Sequence, residues 1–200
     1  MQSGRLLTQK KSSLMVKSVA IFASGSGSNA ENIIHLLHPE KLRVAKIYTN
    51  KSSAGVIERA KRLEVPFRVF NASSENEDIL QELLDLQIDA IVLAGYLRKI
   101  PESWIQAFPQ DIINIHPALL PKYGGKGMYG DFVHQAVLKN QESETGITIH
   151  RVNAEYDKGE ILFQKSISIV GLKSAHEIAE QIHQLEYSHY PEVILKTLNA

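Results

Sequence analysis

The sequence predicts an α/β fold: a single doubly wound, Rossmann-like, mostly parallel sheet with an antiparallel edge and helices on both faces. Three observations predict it. Short β-rich runs alternate with helical stretches between residues 18 and 116, and this alternation is typical of βαβ units. After residue 116 the pattern changes to two strands close enough to pair as a hairpin. The 200 residues match the size of one domain, and no repeat or linker interrupts them.

The parallel part is predicted from its apolar runs. Residues 18–23 form a buried strand, because their β-branched and aromatic content is continuous, and the following helix has Ile33, Ile34 and Leu37 on one face. Further strands are predicted at 42–50, 66–70, 88–95 and 111–116, and further helices at 53–64, at 75–87 and after Pro101. In the helix at 75–87, five apolar side chains are expected to face inward: Ile79, Leu80, Leu83, Leu84 and Leu86.

The second part begins with a long loop at 116–130, which contains two prolines and four glycines. A helix at 131–140 leads into the two strands of the predicted hairpin, 145–152 and 160–170. The remainder, 173–198, is predicted to be helical with a break near Pro191, because proline cannot donate a helical hydrogen bond.

Residues 1–14 show neither helical nor strand periodicity and contain no acidic residue. They also lack the apolar segment of a secretory signal. We interpret them as a disordered tail or an expression leftover, with Met15 as the natural start and residues 15–200 as the single domain.

Composition excludes several classes of function. Lysine plus arginine and aspartate plus glutamate number 22 each, and a general nucleic-acid binder would show a basic excess. No apolar run approaches the roughly 18 residues of a membrane span. The absence of cysteine excludes disulfides, thiolate metal sites and cysteine nucleophiles. We therefore expect a protein that binds neither nucleic acid nor membrane, and we separately interpret it as cytoplasmic.

The turn SGSGSN at 24–29 lies between a strand and a helix, where backbone N–H groups and the helix dipole bind phosphate. Gly25 to Ala30 also fits the dinucleotide pattern G-x-G-x-x-G/A, but the second strand ends in Tyr48-Thr49-Asn50-Lys51 without the acid that holds the ribose. A phosphate site, a dinucleotide site and a plain tight turn all remain open from these residues alone.

Asn114 and His116 end a predicted strand at the edge where open α/β sheets bind ligands. Strand alternation puts both side chains on one side, where an amide can donate to an oxyanion and an imidazole can move protons. Asp157 lies in the turn between the last two strands and is either a hairpin residue or a partner of His116. His150 on the preceding strand is ambiguous.

Four segments occur together in this order: VAIFASGSGSNAENII, VLAGYLRKIP, INIHPALLPKYGGKGMYG and ETGITIHRVNAEYDKGEIL. Together they resemble the phosphoribosylglycinamide formyltransferase family, over about residues 15–198. The resemblance implies the formyltransferase fold and transfer of a formyl group from 10-formyltetrahydrofolate to the amine of 5-phosphoribosylglycinamide, in purine biosynthesis. It implies no metal and a monomer or homodimer.

The resemblance also implies roles for individual residues. The phosphate loop corresponds to Gly27, Ser28 and Asn29, and the glycinamide contacts to His183 and Glu186. The folate contacts correspond to Leu97, Arg98, Lys99, Ile100 and Asn114, and the catalytic trio to Asn114, His116 and Asp157.

In the implied reaction, Asn114 and protonated His116 stabilise the oxyanion, and Asp157 raises the pKa of His116 above its ordinary value of about 6.5. The sequence departs from the family in two places. Some relatives have a folate-binding arginine where residues 73–78 are acidic here, so we expect no folate contact there. The loop GGKGMYGDF is also richer in glycine than the PGLHTH-like form.

Two other functions stay in view. Methionyl-tRNA formyltransferases and 10-formyltetrahydrofolate hydrolases belong to the same superfamily, but they resemble longer chains with an extra domain for which this chain has no room. A nucleotide-binding module without catalysis would rest on the turn at 24–29 alone and would leave Asn114, His116 and Asp157 unexplained.

Overall fold

The structure is a computed structural model that describes residues 16–198, so the interpretation of residues 1–14 lies outside the described residues. The described residues form seven strands and six helices. The strands are β1 (Ser18–Phe22), β2 (Arg43–Thr49), β3 (Phe67–Val69), β4 (Ala90–Leu93), β5 (Ile112–His116), β6 (Glu144–Arg151) and β7 (Ile161–Ser168). The helices are α1 (Ser28–Leu37), α2 (Val56–Arg62), α3 (Asn76–Asp85), α4 (Glu102–Ala107), α5 (Asp131–Lys139) and α6 (Ala175–Leu198).

One sheet contains all seven strands in the order β3-β2-β1-β4-β5-β6-β7. Strands β1 to β5 are parallel, β6 is antiparallel to β5, and β7 is antiparallel to β6. The predicted fold class, including its antiparallel edge, is therefore confirmed. The strand order reverses between β1 and β4, and ligands bind in the crevice outside the carboxyl ends of such strands.

Each face of the sheet carries its own apolar core. Along β1, Val19 and Ile21 face the core beneath α1, α2, α5 and α6, whereas Ala20 and Phe22 face the core beneath α3 and α4. All four side chains are fully buried, as the continuous apolar run predicted. The strand ends that hold the site are therefore fixed by packing from both sides.

The prediction of five inward leucine and isoleucine residues in α3 is wrong for two of them. Ile79 and Leu83 are buried and Leu80 is partly buried, but Leu84 is 47% exposed and Leu86 is 36% exposed. Leu84 is turned about 100° away from Leu83 along the helix. Leu86 lies after the last helical residue, so the helical period no longer applies to it.

The predicted break near Pro191 is also wrong, because α6 runs without interruption and contains this proline. Tyr190, Pro191 and Ile194 are all buried. The Tyr190 hydroxyl lies 2.9 Å from the carbonyl oxygen of Leu93 and 3.0 Å from that of Ile113. Packing on both sides of the proline therefore holds the helix together where one backbone hydrogen bond is missing. Within residues 16–198, no helix has both the length and the apolar character that crossing a membrane requires.

Candidate active site

Two cavities adjoin each other at the carboxyl ends of β1, β4 and β5. The larger has a volume of about 380 Å³ and the smaller of about 170 Å³. Gly95, Ile115 and Pro117 line both of them. Two ligands bound in these cavities would therefore meet beside the end of β5.

The turn between β1 and α1 forms one wall of the smaller cavity. Gly27 precedes the helix with a φ of +76°, and a Cβ atom at this position would lie 2.5 Å from the side chain of Val56. Both the backbone conformation and the close approach of α2 therefore require glycine here.

The backbone of this turn is arranged to receive an anion. The carbonyl of Gly25 accepts from the Val56 N–H at 3.2 Å, and the carbonyl of Gly27 accepts from the Glu31 N–H at 2.9 Å. By contrast, no amide N–H of residues 25–30 donates to another group in the described part of the chain. Free N–H groups at a helix N-terminus, combined with the helix dipole, attract phosphate.

Asn29 and Glu186 contact each other in the wall of the smaller cavity. The Nδ2 of Asn29 donates to the Oε2 of Glu186 at 2.8 Å, whereas the buried Oδ1 of Asn29 has no partner within the described residues. Burial raises the pKa of Glu186 to about 7, and the hydrogen bond from Asn29 only partly opposes this. His183 lines the same cavity one helical turn earlier. The cavity therefore offers a carboxyl group to an amine.

His116 lies between the Tyr123 carbonyl and Asp157. Its Nε2 is 2.7 Å from the carbonyl oxygen of Tyr123, and because a carbonyl only accepts, this nitrogen carries a hydrogen. Its Nδ1 is 3.7 Å from the Oδ2 of Asp157. Nδ1 is therefore the nitrogen left to gain or lose a proton, and a proton there would be stabilised by the carboxylate.

The expectation that the pKa of His116 lies above its ordinary value is wrong. Burial lowers the pKa of His116, and this effect exceeds the opposing influence of Asp157 and of the Tyr123 carbonyl. The imidazole is only 3% exposed, and the carboxylate stands beyond hydrogen-bond distance. His116 is therefore neutral at neutral pH in this structure.

Asp157 is held in its charged form. Burial alone would raise its pKa, but His150, His116 and the Gly125 amide together hold the pKa of Asp157 below its ordinary value. The Gly125 N–H donates to its Oδ2 at 2.8 Å, and the Nε2 of His150 lies 3.6 Å from its Oδ1. The loop after β5 thus contacts both members of the His116–Asp157 pair.

Asn114 is oriented by His150, its neighbour across β5 and β6. The Nδ1 of His150 lies 2.8 Å from the Arg151 carbonyl and so carries a hydrogen, which leaves Nε2 to accept from the Nδ2 of Asn114 at 3.1 Å. The second hydrogen on Nδ2 of Asn114 remains available to a ligand. The structure therefore brings Asn114, His116 and Asp157 together around one point.

The segment Leu97 to Ile100 lines the larger cavity together with Asn114. Its backbone is tied to the turn at 24–29, because the Leu97 N–H donates to the Ser24 Oγ at 3.0 Å. Glu75, in the acidic segment at 73–78, pairs instead with Arg68.

Sequence reasoning left His150 ambiguous and missed Tyr123, and both residues shape this site. Only the register of β6 against β5 reveals that His150 lies opposite Asn114. Tyr123 acts through its backbone carbonyl, which no side-chain motif can indicate. No group of three or more histidine, aspartate or glutamate side chains within residues 16–198 is arranged to hold a metal ion.

Comparison with known proteins identifies the family. A model described as formyl transferase matches residues 17–194. A phosphoribosylglycinamide formyltransferase of Bacillus subtilis is 36% identical over 191 residues, which cover 92% of this chain and 95% of the relative. A chloroplastic one of Arabidopsis thaliana is 41% identical over 187 residues, which cover 89% of this chain. The chain spans 64% of the length of that relative and 60% of a chloroplastic one from Vigna unguiculata.

Solved structures agree with the sequence comparison. The crystal structure of phosphoribosylglycinamide formyltransferase from Bacillus halodurans has a TM-score of 0.82 at 34% identity, covering 91% of this chain and 95% of the other. The resemblance recognised in the four sequence segments is thereby confirmed. The chain belongs to the formyl transferase family, and within it to the phosphoribosylglycinamide formyltransferases.

Proposed function

We propose that this chain transfers a formyl group from 10-formyltetrahydrofolate to the amine of 5-phosphoribosylglycinamide. One observation carries the proposal: the two cavities share a wall at Gly95, Ile115 and Pro117, and the polar side chains of β5 stand beside this junction. A transfer between two bound molecules requires such a meeting point, because correctly oriented reactants avoid most of the entropy loss of a bimolecular step.

The smaller cavity suits the ribonucleotide. We propose that the free N–H groups around Gly27, Ser28 and Asn29 bind its phosphate. The amine end then reaches Glu186 and His183, which line the same cavity, and Glu186 lies beside Asn29. A positively charged amine favours the ionised carboxylate, so its binding would lower the raised pKa of Glu186.

The larger cavity suits the folate. Its volume of about 380 Å³ is within the range of cavities that bind small molecules. We propose that its pterin lies against the segment Leu97, Arg98, Lys99 and Ile100. The formyl group on N10 then points to the junction, where Asn114 stands.

The proposed reaction uses the chain's own side chains to handle charge and protons. The amine nitrogen, in its neutral form, attacks the formyl carbon, a new N–C bond forms, and negative charge develops on the formyl oxygen. Asn114 donates its free Nδ2 hydrogen to this oxygen. The bond between the carbon and N10 then breaks, and N10 gains the proton that the amine loses.

His116 is the proposed carrier of that proton. Its neutral imidazole accepts the proton at Nδ1, where Asp157 stabilises the resulting charge, and then delivers it to N10. The low pKa that burial gives His116 favours the delivery step. A cytoplasmic location, the absence of nucleic-acid partners and a monomeric or homodimeric state stay predictions.

An absorbance assay of folate deformylation with different acceptors tests the proposal. We expect turnover with 5-phosphoribosylglycinamide, and none with water or methionyl-tRNA as acceptor. Turnover with methionyl-tRNA alone, or deformylation at the same rate without an acceptor, would assign the chain to another activity of the family. If no acceptor gave turnover, the proposed transfer would be wrong, and the chain could at most bind the two ligands.

A further inference from the structure

Arg59 of α2 contacts the turn at residues 24–29 through the backbone of Ser26. Its Nε donates to the carbonyl oxygen of Ser26 at 2.9 Å, and its guanidinium also pairs with Glu31 in the first turn of α1. The side chain is 30% exposed and does not line the smaller cavity. Arg59 therefore links α2, the loop and α1 without reaching the place where a ligand would bind.

This contact completes a pattern in the loop. The three successive carbonyls of residues 25–27 each accept a hydrogen bond, from the Val56 N–H, the Arg59 Nε–H and the Glu31 N–H respectively. A carbonyl oxygen carries partial negative charge and repels phosphate, whereas successive N–H groups attract it. Since two of these donors are backbone groups, Arg59 supplies the one bond of the three that a side-chain substitution can remove.

We infer that Arg59 is a positioning residue for the phosphate of the ribonucleotide, acting through the Ser26 carbonyl. This inference rests on the proposed function, because it assigns the anion at residues 25–30 to that substrate. Without the bond from Arg59, the Ser26 carbonyl is free to rotate toward the cavity. The loop would then present its N–H groups in the binding arrangement for only part of the time.

The chain offers a matched control in Arg62. This arginine lies one turn later in α2 and also pairs with Glu31, but it makes no hydrogen bond to the loop. Arg62→Met removes the same charge and a bond to the same carboxylate as Arg59→Met. The two variants therefore differ in the bond to Ser26.

The test is steady-state kinetics of Arg59→Met and Arg62→Met with both substrates. We expect Arg59→Met to raise the KM for the ribonucleotide about tenfold, because a hydrogen bond from a charged donor is lost. Its kcat at saturation and its KM for the folate should stay within twofold, and Arg62→Met should leave all three constants within twofold. Equal KM increases in the two variants would mean that Arg59 acts only through its positive charge and not through its bond to Ser26. A loss of kcat in Arg59→Met would show damage to the fold instead, and either result would overturn the inference.

A binding measurement separates this inference from the proposed function. Titration with inorganic phosphate, followed by NMR at the amide groups of Gly25 and Gly27, needs no turnover. We expect weaker phosphate binding in Arg59→Met than in Arg62→Met. If the parent chain lacked formyl transfer but this difference appeared, the proposed function would fail while the positioning role stood. If the parent transferred formyl but the variants bound phosphate equally, the positioning role alone would fail.

Discussion

His116 and Asp157 form a buried pair of a neutral imidazole and an ionised carboxylate. Burial favours the neutral imidazole, while the hydrogen bond from the Gly125 amide and the charge of either histidine when protonated hold the pKa of Asp157 below its ordinary value. The imidazole of His116 is thus a weak base, and the negative charge of Asp157 lies near its Nδ1. Such a group accepts a proton when one is released nearby and does not retain it.

Asp157→Asn keeps the shape of this pair and removes its charge. We expect kcat to fall by roughly 10²–10⁴, with little change in either KM, because the proton on His116 loses its stabilising partner. The pKa of His116, followed by NMR of the imidazole, should decrease further, since the carboxylate is the larger of the two influences that oppose burial. His116→Ala should be comparably damaging, and the double variant much less than additive. A near-normal kcat in Asp157→Asn would make Asp157 a hairpin residue only.

Glu186→Gln tests the effect of burial on a second carboxyl group. With its pKa raised to about 7, the folded state binds a proton more tightly than the unfolded state, so stability falls as the pH rises from about 4.5 through 7. Glutamine does not ionise and can still accept from Asn29. We expect the variant to be more stable than the parent by about 3 kcal/mol near pH 8 and by little near pH 4.5, measured by urea unfolding.

The control for this variant is Glu180→Gln on the same helix. The Glu180 side chain is 65% exposed, so it lacks the burial that distinguishes Glu186. A gain in stability that is the same at both pH values would contradict the account of Glu186. The gain should accompany a higher KM for the ribonucleotide, because the amine loses its carboxylate.

At the scale of elements, the site depends on how strand ends and helix starts fit together. The turn after β1 fits against α2 only because Gly27 has no side chain. The strands were predictable, since alternation of apolar runs reflects packing on both sides of a sheet. The orientation of Leu84 and the continuity of α6 through Pro191 were not, because both depend on which neighbours cover a helix.

Gly27→Ala should affect both stability and binding. The new Cβ would meet Val56 at 2.5 Å in a conformation with φ of +76°, so α2 and the loop must separate. We expect a lower Tm and a KM for the ribonucleotide raised more than tenfold. Gly171→Ala is the control, because it has a φ of +92° with nothing within 4 Å of the added atom. Gly171→Ala should lower the Tm by backbone strain alone and leave the KM for the ribonucleotide unchanged. A similar KM in Gly27→Ala and Gly171→Ala would contradict the account.

At the scale of the whole molecule, the topology brings distant residues to one edge of the sheet. His116 and Asp157 are 41 positions apart, and the sequence indicated each as a candidate without showing their contact. Asn114 and His116 followed from strand alternation, whereas the contact between Asn114 and His150 depends on the register of β5 against β6. The roles given to the folate segment and to His183 came from the family resemblance and stay predictions.

The central claim is that one formyl group passes between two molecules bound side by side in the two cavities. Mass spectrometry of 5-phosphoribosylglycinamide after incubation with the chain and 10-formyltetrahydrofolate labelled with ¹³C in the formyl group tests it most directly. The account predicts that the ribonucleotide gains one labelled formyl group in equal amount to the tetrahydrofolate released, and that His116→Ala nearly abolishes this gain. Release of labelled formate without labelled ribonucleotide would contradict the account.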